Sequence, residues 1–108
     1  MPDWSIKIEG KPAKFTPDID RTPPIPRGAP LKVVQGDNVS WNNMTTQQHW
    51  PAPDDPATYG QFMTAPVDPD SSSTGYNIVS PAGTTISYHC SLHPRLRGKI
   101  VVVKFGEN

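Results

Sequence analysis

The chain holds a single cysteine, Cys90, in 108 residues. No disulfide can form within it, so the thiol is left as a buried structural group, a nucleophile, an intermolecular bridge or a metal ligand. Charge of either sign is also missing as a net quantity: ten basic and ten acidic residues cancel. A nucleic-acid or membrane-surface partner, which would favour a strongly basic chain, is therefore not expected, and any docking must rest on local patches. Long apolar runs are absent, the stretch Ile100 to Val103 being far too short to span a bilayer, and Met1-Pro2-Asp3-Trp4 carries no charged-then-apolar targeting segment. The chain reads as soluble. Its length leaves room for one domain, taken as residues 1–108, with one modest core.

Proline is abundant instead. Fourteen residues are proline, well over twice the roughly 5% average, which argues for little helix and many fixed loops. Trp4 to Glu9 alternates in type and stops at Gly10, the pattern of a half-buried strand. Thr16 to Pro30 holds Pro17, Pro23, Pro24, Pro26 and Pro30 and reads as an extended surface loop. Leu31 to Gln35 and Asn38 to Asn42 flank the turn-prone pair Gly36-Asp37, which predicts a reversal between two strands. Pro51 to Ser73 is expected to be a long irregular excursion with a short helical turn. Gly75 to Val79 and Thr84 to Cys90 resume strand character on either side of Ser80-Pro81-Ala82-Gly83, and Lys99 to Phe105 is apolar on both faces, as a central strand would be. Short strands with Pro/Gly-rich joints and no helical period predict an all-β antiparallel sandwich or barrel.

Strand alternation puts Ile86, Tyr88 and Cys90 on one face and Ser87 and His89 on the other. His93 lies three residues beyond Cys90, where a short loop through Pro94 can return its imidazole toward the sulfur. With His89 assigned to the opposite face, His49 is the remaining histidine of three, and the set becomes two imidazoles and one thiolate. Structural zinc takes four ligands, usually with two or more cysteines; iron–sulfur clusters need several thiolates, and c-type haem needs C-x-x-C-H. All fail on count. A His2Cys trigonal site with a weak or missing axial ligand is the arrangement of blue-copper electron-transfer centres. Asp54, Asp55, Asp68 and Asp70 show no calcium-loop spacing.

The run Tyr88-His89-Cys90-Ser91-Leu92-His93-Pro94-Arg95-Leu96-Arg97-Gly98-Lys99-Ile100-Val101-Val102-Val103 resembles the copper loop and final strand of the cupredoxins, in particular the amicyanins; pseudoazurins and plastocyanins look similar with longer loops. Leu31-Lys32-Val33 followed by Gly36-Asp37-Asn38-Val39-Ser40-Trp41-Asn42 resembles the strand pair that leads to the family's first histidine. This resemblance implies a Greek-key β-sandwich of about eight strands, here with long Pro-rich loops, holding one copper through His49, Cys90 and His93. It also implies one-electron exchange with a redox protein and an exported, typically periplasmic, location. The slot of the family's axial methionine holds Leu96, which has no donor atom; a high potential is expected, unless a backbone carbonyl near Gln48 or the sulfur of Met44 or Met63 approaches instead. Trp50 stands where the family often has asparagine. Trp50, Pro94, Arg95, Arg97 and Lys99 form a candidate docking rim suited to an acidic partner. The alternative is copper storage, sensing or delivery without obligatory electron transfer. A self-contained enzyme is not expected, since no second metal cluster, supported Ser-His-Asp order or phosphate loop is present.

Overall fold

A computed structural model of the chain describes residues 3–10, 12–17 and 30–106. Among these, nine strands and one helical turn follow in the order β1 Asp3–Glu9, β2 Lys14–Pro17, β3 Leu31–Val34, β4 Asn38–Asn43, β5 Pro51–Pro53, α1 Pro56–Tyr59, β6 Ser71–Ser72, β7 Tyr76–Asn77, β8 Thr85–Cys90 and β9 His93–Val103. They form two sheets. One runs β2-β1-β4-β6 with β7 also on β4; the other runs β3-β9-β8-β5. The all-β, Pro-rich sandwich expected from the sequence is what the chain forms.

Each strand that reaches the core does so by alternation. Ile6 and Ile8 of β1, Val39 and Trp41 of β4, Leu31 and Val33 of β3, Ile86, Tyr88 and Cys90 of β8, and Ile100 and Val102 of β9 are all buried. Each fully buried aliphatic contributes about 1.5–3 kcal/mol relative to exposure. Aromatic rings bridge the two layers: Trp41 stacks on Phe62 at 4.8 Å and meets Tyr88 edge-on at 5.5 Å.

Gly36-Asp37 does not close a hairpin. β3 pairs with β9 and β4 pairs with β1, both parallel, so the turn carries the chain from one sheet to the other and the sandwich is mixed rather than antiparallel. The physical reason is the buried Asp37 carboxylate, which accepts the Val34 N–H at 2.9 Å and the Trp4 indole N–H at 2.8 Å. That anchor ties the turn to β1 and leads β4 away from its sequence neighbour β3. Gly36 adopts φ 99°, a conformation disfavoured for other residues.

Three further expectations are corrected or narrowed. Thr16 and Pro17 belong to β2, while 18–29 lies outside the described residues. The excursion from Pro51 to Ser73 is not wholly irregular: Pro51 and Pro53 sit in β5, an edge strand, where a missing N–H removes no interior ladder bond and discourages pairing with another chain. Its expected helical turn is α1, where the Asp55 carboxylate accepts the Thr58 hydroxyl at 2.6 Å and caps the turn. Finally, β9 begins at His93 rather than Lys99, which changes how the candidate site is built.

Candidate metal centre

Three segments meet at Cys90. β8 delivers its side chain inward by alternation, fully buried. Ser91-Leu92 then turns the chain, and His93 pairs directly across from Cys90 as the first residue of β9. The turn thus precedes His93 instead of running through Pro94: pairing with Cys90 fixes the imidazole beside the sulfur. Between the Cys90–His93 pair and the His89–Arg97 pair, β9 carries Pro94, Arg95 and Leu96 as an unpaired bulge. β5 contributes the third segment. Pro51 pairs with Cys90, and just before it His49 exchanges both backbone hydrogen bonds with Val67, at 3.2 and 2.7 Å.

The result is a convergence of donor atoms. Cys90 Sγ lies 3.5 Å from His49 Nδ1 and 3.6 Å from His93 Nδ1, and all three atoms fall within 4.8 Å of one another. Ligands held about 2.0–2.3 Å from a common ion lie about 3.5 Å apart, so one ion fits between them. The two imidazole rings are tilted at 44° with centroids 4.6 Å apart. Cys90 and His49 are buried, whereas His93 is partly exposed. Trp50 donates its backbone N–H to the sulfur at 3.2 Å. Burial first, and the neighbouring His93 second, hold the His49 pKa below the usual histidine value, favouring the neutral imidazole that ligation needs.

His89 faces away. Its Nδ1 meets Asp54 Oδ1 at 2.6 Å, and the other oxygen of Asp54 pairs with Arg97. Leu96 is buried and lines one cavity together with His49, His93 and Tyr88. Met44 is exposed, and Met63 is buried against a separate pocket formed with Val67 and Ser71 to Thr74. Trp50 is half-buried against the core; Leu92, Pro94, Arg95, Arg97 and Lys99 are exposed around His93.

The sequence reading missed the polar residues behind His49. Asn43, Thr45 and Gln47 form a hydrogen-bonded set ending at His49 Nε2. The signal was the cluster Asn42-Asn43-Met44-Thr45 between a strand end and a histidine, where Asn and Thr side chains commonly bond to nearby backbone.

No protein-family model matches the sequence, and no curated protein matches it significantly. Solved structures do. A reduced amicyanin mutant is 26% identical, with 91% of this chain and 79% of that chain covered, at a TM-score of 0.63. An oxidised amicyanin mutant with leucine in place of a methionine is 25% identical over the same shares, also at 0.63. Amicyanin from Paracoccus versutus is 22% identical, covering 91% of this chain and 78% of its own, at 0.62. The two-sheet β-sandwich of this chain is therefore similar to amicyanin over nine-tenths of its length: in fold, this chain is a cupredoxin.

Proposed function

We propose that this single-domain protein is a type 1 copper protein that carries single electrons between redox partners, with His49, Cys90 and His93 as the ligands. The observation that supports it is the convergence of one sulfur and two imidazole nitrogens within 4.8 Å, two of the three residues being buried. The donor set fits copper better than zinc, because two imidazoles and one thiolate lack the fourth ligand of structural zinc and match the trigonal blue-copper arrangement. Bound there, copper would supply Cu(I)/Cu(II) exchange. The protein's part is to hold the donors still. β8, β9 and the β-bridge at His49 fix all three from the backbone outward, so little has to move when the charge changes.

Leu96 takes the axial side in this reading. Its burial and its place on the wall shared with His49 and His93 support that assignment. A branched hydrocarbon gives no electron pair and keeps water out, which disfavours the more highly charged oxidised state and raises the potential. His93, partly exposed among Leu92, Pro94, Arg95 and Lys99, is the natural point of electron exit. The partner is a redox protein with an acidic docking face, and an exported compartment suits such a carrier. Storage or delivery is less favoured: Cys90 and His49 are buried, leaving only the partly exposed edge of His93 for handing the ion over.

Metal titration of two variants tests the ligand set. His49→Ala is expected to weaken copper binding by well over tenfold, while His89→Ala, whose ring faces Asp54, leaves it nearly unchanged. The reverse order would remove His49 from the site.

A further inference from the structure

Behind His49 lies a polar chain whose proton positions follow from counting. The Asn43 side chain is fully buried. Its amide nitrogen contacts two carbonyl oxygens, those of Gln47 at 2.7 Å and Val67 at 3.0 Å. Neither can donate, so the nitrogen is correctly placed there and Asn43 Oδ1 points the other way. That oxygen accepts the Thr45 N–H at 2.9 Å and lies 2.7 Å from Thr45 Oγ1. An amide oxygen has no proton to give, and two bare oxygens do not sit at 2.7 Å without repulsion. The hydroxyl proton of Thr45 therefore points at Asn43.

Thr45 has only that one proton. The Gln47 carbonyl oxygen, 3.1 Å from Thr45 Oγ1, likewise has no proton to give. With its one proton on the oxygen side, the hydroxyl must act as acceptor toward the two nitrogens that remain, the Gln47 N–H at 3.3 Å and His49 Nε2 at 3.0 Å. A neutral imidazole carries one N–H, and here it has to be on Nε2. The lone pair is left on Nδ1, the atom that faces Cys90 Sγ.

We infer that Thr45, oriented by Asn43, is a positioning residue that locks His49 in the Nε2–H tautomer and so presents Nδ1 as a ready metal donor. The tautomer follows from the hydrogen bonds alone; its consequence for copper rests on the type 1 reading above. Locking the tautomer removes a choice the ring would otherwise make on binding, and the accepted N–H bond raises the basicity of the ligating nitrogen. Asn43 closes β4 and His49 precedes β5, so the chain of bonds also ties the two sheets together behind the site.

Ring nitrogen NMR of His49 tests this in the metal-free protein, above the pH at which the ring is protonated; with three histidines in the chain, assignment is direct. The expected spectrum has Nε2 protonated and Nδ1 bare, in the wild type and in Thr45→Ser, which keeps the hydroxyl. Thr45→Val, equal in shape but unable to accept, is expected to give mixed tautomers and to weaken Cu(II) binding by roughly tenfold or more, with Thr45→Ser restoring both. A protonated Nδ1 in the wild type would overturn the inference. So would a folded Thr45→Val protein with unchanged tautomer and copper affinity. Should Thr45→Val fail to fold, the wild-type spectrum alone decides. A wild type that takes up no copper but shows Nε2–H would refute the type 1 reading while leaving the tautomer lock in place.

Discussion

Gly98 lies against the ring of Tyr88: a Cβ built on it would fall 2.6 Å from both Tyr88 Cζ and Oη. The two residues are directly paired in β8 and β9, and the ring is itself held in the core by Phe15, Trp41 and Phe62. Glycine here makes room for an aromatic two residues from Cys90. Gly98→Ala is expected to destabilise the fold by about 1–3 kcal/mol, the usual cost of overpacking a well-filled core. Denaturant unfolding of the metal-free protein checks it, and an unchanged midpoint would show that the strands part easily.

Stability of the metal-free protein should fall in mild acid because of His49. Its pKa in the folded protein is lowered, chiefly by burial, while in the unfolded chain it titrates near the ordinary histidine value of 6.5. The unfolded state therefore binds the proton first. The contribution is whole above that value and is lost as pH falls through the lower folded pKa. Unfolding measured from about pH 8 down to about pH 5 should show this loss, and a His49→Asn variant should show less of it.

Leu96→Met should lower the reduction potential while leaving the fold and the visible band intact. Methionine has similar volume and adds a sulfur donor that favours the oxidised state. Voltammetry of the copper-loaded variant is the check; an equal or higher potential would mean that Leu96 does not stand over the metal.

Docking should depend on salt, and on some cations more than others. Asp54 already engages Arg97, which leaves Arg95 and Lys99 as the rim charges that a partner's carboxylates would meet. Electron-transfer rates with an acidic redox protein should fall as ionic strength rises. Arg95→Gln combined with Lys99→Gln should reduce that dependence more than Arg97→Gln does. Rates indifferent to salt would reduce the rim to a solvated edge.

Alternation made much of this site legible from sequence. The pattern from Ile86 to Cys90 is sufficient to send Cys90 inward and His89 outward, since both follow from a period of two. The route of the chain was less legible. Gly36-Asp37 has the composition of a hairpin turn, and nothing local distinguishes a turn that joins paired strands from one that crosses between sheets. The difference lies in the Asp37 carboxylate finding the Trp4 indole, 33 residues away in sequence. The start of β9 was hidden for a similar reason: Pro94 and the charges at Arg95 and Arg97 look like loop, yet pairing of His93 with Cys90 begins the strand ahead of the bulge. Thr45 and Asn43 could not be tied to His49 before their side chains were seen to meet.

The central claim, that Cys90 gives a thiolate to copper beside two imidazoles, is tested most directly by the electron paramagnetic resonance spectrum of the Cu(II)-loaded protein. A narrow parallel hyperfine splitting, which reflects spin shared with the sulfur, is predicted for the wild type and should be lost in Cys90→Ser. A wide splitting typical of nitrogen and oxygen ligands in the wild type, unchanged by Cys90→Ser, would contradict the account.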